Sequence, residues 1–253
     1  MRSERLPDAV HDVATAMVFL TRIPIPWQVP DLDARLPRCT PWFPLVGVLV
    51  GAMGALAWWL GASAGNALIG AIAAVAATAL VTGAFHEDGL ADTFDGLGGS
   101  PGRERALTIM KDSRIGAFGT VALVLVLLAR IGALLSLGGA AVAALIGAHA
   151  LARLSSLPLI RWLPYARADG GTGKPFAGGV SDIGLAVAVG ATALLTLVLW
   201  GASALVVWLV VALLVGVTGW WYYRRLGGIT GDTLGATNQF VELGCYLALV
   251  AML

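Results

Sequence analysis

Long apolar runs separated by short polar ones organise the chain, and the run lengths set the fold. Crossing the ~30 Å hydrocarbon core of a bilayer takes about 20 mostly apolar residues as a helix. Runs of that length predict helices over 42–61, 67–85, 116–137, 140–160, 183–201 and 204–222. A seventh run starts near Asp232 and carries Asn238 and Glu242 to the carboxyl end. Trp42 and the Trp58–Trp59 pair near the ends of the first run, and WWYYRR after the sixth, fit interfacial belts. Residues 1–20 do not read as a signal peptide, because Glu4, Asp8, His11 and Asp12 interrupt the region before a short apolar run. They predict an amphipathic helix. An extended Pro-rich turn, TRIPIPW over 21–27, follows, since proline disfavours helix in the residue before it. The polar stretch up to Pro41, with Arg35 and Arg38, reads as a solvated loop. The predicted architecture is all-α: one integral membrane domain over 1–253, a polytopic bundle of about seven transmembrane helices plus the amphipathic amino-terminal helix.

Composition agrees with a membrane protein. Hydrophobic residues make up 58% of the 253 residues, above the 45 to 50% usual for soluble domains. The 33 glycines fit close helix packing in lipid. A net charge of +1 excludes a nucleic-acid partner. Cys39 and Cys245, far apart and without a CxxC or Cys/His spacing, indicate neither a disulfide framework nor a zinc site.

The cations fix an orientation. With the amino terminus in the cytoplasm, 14 of the 16 Lys and Arg fall in segments 1–41, 86–115, 161–182 and 223–231 on that side. Only Arg130 and Arg153 lie in spans, and the opposite loops are short and uncharged. This obeys the positive-inside rule. It also gathers the polar segments at about 86–115, 161–182 and 223–236 on one face. Arg130, His149 and Arg153 are intramembrane ionisable groups, which are costly and usually face a polar interior.

The chemistry concentrates in HEDGLADTFDGLGGSPGRERALTIMKDSR, residues 86–114, which hold six of the 15 acids and four of the Lys and Arg. Asp88, Asp92 and Asp95 recur at spacings of four and three and so share one face of a helix, with His86 half a turn above. Like charges at these spacings repel, so a cation is expected among them. Oxygen donors favour a hard ion such as Mg²⁺, held by one or two carboxylates and substrate phosphates. Gly89, Gly96, Gly98 and Gly99 permit close backbone approach. Pro101 is placed to open a short helix carrying Arg103, Arg105, Lys111 and Arg114, cations suited to a phosphorylated substrate. Such a site fits metal-assisted phosphoryl transfer from a pyrophosphate to an alcohol. His86 has two readings, as the base taking the alcohol's proton or as a hydrogen-bond partner orienting a ligating carboxylate. The GTGK piece at 171–174 is not a P-loop, because Pro175 follows Lys174 and the surroundings are spans. Lys174 reads as a cation on a flexible loop within reach of substrate.

Three motifs, HEDGLADTFDG (86–96), MKDSRIGAFG (110–119) and GITGDTLGA (228–236), in this order among apolar runs, resemble the cobalamin synthase family, the adenosylcobinamide-GDP ribazoletransferases of vitamin B12 assembly. TRIPIP near the amino terminus resembles the family's opening, and the likeness runs from about residue 15 to the carboxyl end. The resemblance implies a magnesium-dependent reaction between adenosylcobinamide-GDP and α-ribazole or its 5′-phosphate. The ribazole hydroxyl attacks the phosphate on the cobinamide arm, GMP leaves, and adenosylcobalamin or its 5′-phosphate forms. Matching the motifs gives metal or pyrophosphate roles to Asp88, Asp92, Asp95, Asp112 and Asp232, with His86, Asp92 and Asp95 catalytic. Lys111 and Arg114 become phosphate contacts beside Lys174 of the GTGK loop, and Glu87, off the acidic face, stays outside the metal shell. The resemblance further implies a multi-pass protein of a bacterial-type inner membrane with a cytoplasmic site, in contact with lipid and compatible with a homo-oligomer. Two alternatives stand beside it. The Asp92, Asp95, Gly96 spacing also resembles CDP-alcohol phosphotransferases, whose remaining pattern is absent. An ion-coupled transporter would predict midplane acids and internal repeats, whereas the acids here lie at run ends.

Overall fold

The computed structural model describes residues 6–167, 170, 173–176 and 179–253. Eleven α-helices appear among them, with no strand: α1 (Asp8–Leu20), α2 (Leu32–Cys39), α3 (Phe43–Ser63), α4 (Ala67–Thr82), α5 (Phe85–Gly99), α6 (Arg103–Ile109), α7 (Ala117–Leu137), α8 (Ala141–Trp162), α9 (Asp182–Trp200), α10 (Ser203–Leu226) and α11 (Gly231–Val250). Each of the seven apolar runs corresponds to a helix. By length and hydropathy alone four stretches qualify as spans: Leu32–Ser63, Ala117–Trp162, Asp182–Trp200 and Ser203–Leu226, with the bent α4–α5 pair a fifth. The number is below seven for three physical reasons. Ala117–Trp162 is a hairpin rather than one rod, because Arg130 of α7 and His149 of α8 both reach Glu242, and a straight helix would hold them roughly 28 Å apart. α4 has only 16 residues. α11 carries Asp232, Asn238, Gln239 and Glu242, which lower its hydropathy.

Three sequence expectations are corrected. The second apolar run does not continue to residue 85: Gly83 and then Ala84 adopt left-handed backbone (φ 68° and 58°), and the chain turns by 89° into α5. The stretch before Pro41 is not a loop but contains α2, whose Arg35 pairs with Asp8 and Asp12 of α1 at 2.7 and 2.8 Å. α6 ends at Ile109, so Lys111 and Arg114 lie beyond it. The amino-terminal helix α1, at 13 residues, is too short to cross a bilayer.

α8 is the central helix, buried on almost every side from Ala141 to Ile160. α3 crosses it closely because Gly47 and Gly51 present no Cβ: one at Gly51 would fall 2.5 Å from the Leu145 carbonyl oxygen, the small-residue packing expected in lipid. α9 is peripheral, burying only Ala188, Thr192 and Thr196, while Leu194, Leu197 and Val198 face outward as a lipid surface.

The charged connections meet at one end of the bundle. Arg103 donates to the Leu226 and Ala166 carbonyls at 2.6 and 2.9 Å. Arg225 donates to Leu97 and Ser100 carbonyls at 2.9 and 2.7 Å, satisfying groups at the end of α5. A bridge between Tyr165 and Ile229 ties the loop after α8 to the approach to α11. Phe176 packs on Phe19 and Phe43.

Candidate active site

Two glycines build the site. α5 and α11 cross where Gly89 faces the backbone of Asp232: a Cβ there would lie 2.8 Å from the Asp232 carbonyl oxygen and 3.0 Å from its Cα. Gly235 faces Gly89 and His86 in return. Only an α5 without a side chain at this position lets the start of α11 approach, so the crossing brings Asp232 beside the acidic face of α5. Thr230 and Thr233 form a capping box that fixes the first turn of α11. Asp88 is exposed, Asp92 half-buried and Asp95 buried. Asp92 feels the negative charges of Asp232, Asp88 and Asp95 and the positive charge of Arg167.

Arg167 was not legible as a site residue. Its Nη2 lies 2.6 Å from Asp232 Oδ2, and the side chain is largely buried. The loop reaches this position because the Ala166 N–H donates to the Ile229 carbonyl and the Ile229 N–H to the Pro164 carbonyl. The available signal was the RADGG stretch preceding GTGK, which gives no hint of a partner 65 residues away.

Asp95 has a definite structural partner. Its carboxylate accepts the Gly116 N–H at 2.7 Å and the Gly119 N–H at 2.8 Å, so it caps the start of α7 from another helix. A Cβ at Gly116 or Gly119 would strike that carboxylate. The glycines of RIGAFG thus make room for Asp95.

His86 faces the bundle interior, with 3% of its surface exposed. Its Nδ1 has no hydrogen-bond partner among the described residues. It lines a small void of about 30 Å³ with Ser156 and Asn238, room for about one water. Among the described residues no hydrogen bond joins it to Asp88, Asp92 or Asp95. Glu87 also points inward, into a buried charge network. Arg130 contacts Glu242 and lies 3.3 Å from Glu87 and 2.9 Å from Gln239 Oε1. Arg153 lies 3.6 Å from Glu242 and donates to His149 Nδ1 at 2.8 Å, which leaves the ring proton on Nε2, 3.2 Å from Glu242.

The predicted phosphate-binding cations are spread out. Arg114 folds onto Asp112 through two hydrogen bonds of 3.0 and 2.6 Å, and this guanidinium holds the Asp112 carboxyl down to about 2. The Asp112–Arg114 pair is exposed. Lys174 is exposed at the start of a single 3-10 turn, and its neighbour Gly173 abuts the backbone of Gly231, beside Asp232. Lys111 is exposed in the turn after α6. Gly171 and Thr172 lie outside the described residues. An apolar groove of about 540 Å³ between α8, α9 and α10 has no charged lining residue, so its chemistry is that of the lipid-facing flank. A polar cleft of about 520 Å³ opens instead beside Asp88, between the end of α1 and the α4–α5 turn.

The fold and this arrangement define a membrane helix bundle with an acidic, arginine-flanked site where its charged connections converge. Residues 12–250 match the family model described as cobalamin-5-phosphate synthase, and the chain belongs to that family. The chain is 46% identical over 247 residues to an adenosylcobinamide-GDP ribazoletransferase of Leptothrix cholodnii, covering 93% of both chains. It is 42% identical to the protein of the same name from Shewanella frigidimarina, covering 94% of this chain and 93% of that one. A Rhizobium etli protein of that name is also 42% identical, with 98% of this chain and all of that one covered. No solved structure matches.

Proposed function

We propose that this protein is an adenosylcobinamide-GDP ribazoletransferase whose chemistry takes place at Asp88, Asp92, Asp232 and Arg167, on the cytoplasmic face of a bacterial inner membrane. The family match supports the reaction. The observation that carries the site is the Gly89–Asp232 crossing, which unites acids 140 positions apart in sequence on two helices. The gathering of the cation-rich segments at that end supports its orientation toward the cytoplasm. Neither a CDP-alcohol phosphotransferase nor a transporter gains support from the family match.

The donors fit Mg²⁺. Among the described residues no group of three or more His, Cys, Asp or Glu can enclose a metal ion, but Mg²⁺ is commonly held by one or two carboxylates with waters and substrate phosphates. One or two of Asp88, Asp92 and Asp232 would supply oxygen donors of that kind, and their mutual repulsion favours a cation nearby. When bound, Mg²⁺ supplies charge neutralisation on a pyrophosphate. Asp95 holds the start of α7 against α5 and so positions the two carboxylates before it. Arg167 fixes the Asp232 carboxylate and adds positive charge beside the leaving phosphate. His86 and Glu87 anchor the inner face of α5. In the reaction the α-ribazole hydroxyl, or that of its 5′-phosphate, gives up its proton to water or to the departing phosphate and forms a bond to the phosphorus on the cobinamide arm. The anhydride P–O bond breaks and GMP departs.

The test is GMP release by purified protein given adenosylcobinamide-GDP, α-ribazole and Mg²⁺, with EDTA and Asp92→Asn as controls. GMP appearing with a cobalamin product, dependent on metal and on Asp92, is the expected result. A folded preparation without GMP release would overturn the reading.

A further inference from the structure

Most described arginines are held: Arg35, Arg114, Arg130 and Arg167 by acids, Arg103 and Arg225 by carbonyls. Arg22, like Arg105 of α6, differs: it is exposed, and no carboxylate or carbonyl engages its guanidinium among the described residues. Its backbone is nonetheless fixed, because the Arg22 N–H donates to the Val81 carbonyl at 2.7 Å and Thr21 Oγ1 accepts the Ile23 N–H at 3.2 Å. The side chain rests on Gly83, where a Cβ would collide with Nε. The guanidinium laid over this glycine at the α4–α5 turn lines the 520 Å³ cleft, with Asp88 also on its wall. Arg22 and Asp88 face this space without forming an ion pair. α5 also begins there, and Ala84 provides no side-chain acceptor for its first N–H groups, so the positive end of the helix dipole faces the same space.

The cation and the positive helix end suit a ligand carrying more than one phosphate, and Asp88, whose charge is felt by both Asp92 and Asp232, joins this cleft to the acidic site. We infer that the cleft between α1 and the α4–α5 turn receives the diphosphate of the nucleotide substrate, and that Arg22 is its phosphate-binding residue. This rests on the ribazoletransferase reading for the identity of the substrate. A guanidinium can hold two phosphate oxygens at once, and an ammonium cannot. An anionic lipid headgroup shares the phosphate chemistry, so the experiment separates the two sources.

Full-length protein and its Arg22→Ala and Arg22→Lys variants are placed in phosphatidylcholine nanodiscs, and GDP binding and steady-state kinetics are measured. Loss of a charged hydrogen-bonding group costs roughly tenfold or more in affinity. Arg22→Ala is expected to weaken GDP binding by about that factor and to raise KM for adenosylcobinamide-GDP while leaving KM for α-ribazole unchanged. Arg22→Lys is expected to recover part of the loss. GDP affinity and KM within twofold of the unmodified protein would overturn the inference. So would a stabilisation by added phosphatidylglycerol that Arg22→Ala abolishes with GDP binding intact, which would assign the cleft to lipid. If the unmodified protein binds GDP through Arg22 but releases no GMP from the cobinamide substrate, the cleft stands and the ribazoletransferase reading falls.

Discussion

Gly89 of α5 lies against the backbone of Asp232 at the start of α11, and an added Cβ would sit 2.8 Å from the Asp232 carbonyl oxygen. Neither the backbone of α11 nor that of α5 can yield cheaply at such a contact. Gly89→Ala is therefore expected to separate Asp232 from Asp92. Overpacking of this kind costs about 1–3 kcal/mol, and a misplacement near 1 Å at a reacting centre costs on the order of 100-fold in rate. Gly235→Ala, whose Cβ contacts would be 3.3 to 3.4 Å, is expected to do less in both respects. Melting temperature and GMP release for the two variants check this ranking. Equal effects would show that the crossing does not set the site geometry.

Asp92 and Asp95 should respond oppositely to the same substitution. Asp95→Asn replaces one of the oxygens that accept the Gly116 and Gly119 N–H groups with a donor, and loss of a cap costs about 0.5–2 kcal/mol. Its melting temperature is expected to fall. Asp92→Asn removes a charge surrounded by Asp88, Asp95 and Asp232, so its stability is expected to hold or rise while activity is lost. Thermal melts of both variants in one detergent decide the matter, and a larger stability loss for Asp92→Asn would reverse the assignment.

Magnesium should stabilise the folded protein by mass action. At tenfold over its Kd the gain is about 1.4 kcal/mol, seen as a rise in melting temperature on adding Mg²⁺ and its reversal by EDTA. Asp92→Asn is expected to lose most of that rise, and Asp112→Asn to keep it, because the Asp112 carboxylate is already engaged by the Arg114 guanidinium. The same rise in the Asp92 variant would place the ion elsewhere.

The helices and the acidic segment were legible because each rests on local pattern. Apolar run length gives the spans, and the spacing of Asp88, Asp92 and Asp95 gives one helical face. What escaped depends on contacts between segments distant in sequence. Asp95 was grouped with its neighbours by periodicity, yet its partners are amides 21 and 24 residues on. Arg167 meets Asp232 only because a backbone bridge joins two loops. The α4–α5 elbow was missed because it depends on Ala84 taking positive φ, a conformation alanine rarely adopts and no spacing announces. Asp232 was singled out by a motif of its own, whereas the approach of Gly173 to Gly231 is a matter of loop packing that no local pattern announces.

The interior charges behind α5 make the last prediction. Arg130 and Arg153 face Glu87 and Glu242 with all four side chains almost completely buried, so the set is balanced at two cations and two anions. Arg130→Met leaves one anion without compensation, and breaking a buried pair in this way costs about 3–5 kcal/mol. Glu87→Gln alone leaves one cation in excess and is also destabilising. The double variant restores one cation and one anion, Arg153 with Glu242, and is expected to be more stable than Arg130→Met despite carrying an extra substitution. Groups sharing one network typically couple by about 0.5–3 kcal/mol. Thermal melts of the four proteins complete the cycle. If the two single effects add in the double variant, Glu87 and Arg130 act independently, and the network does not hold α5 in register with α7 and α11.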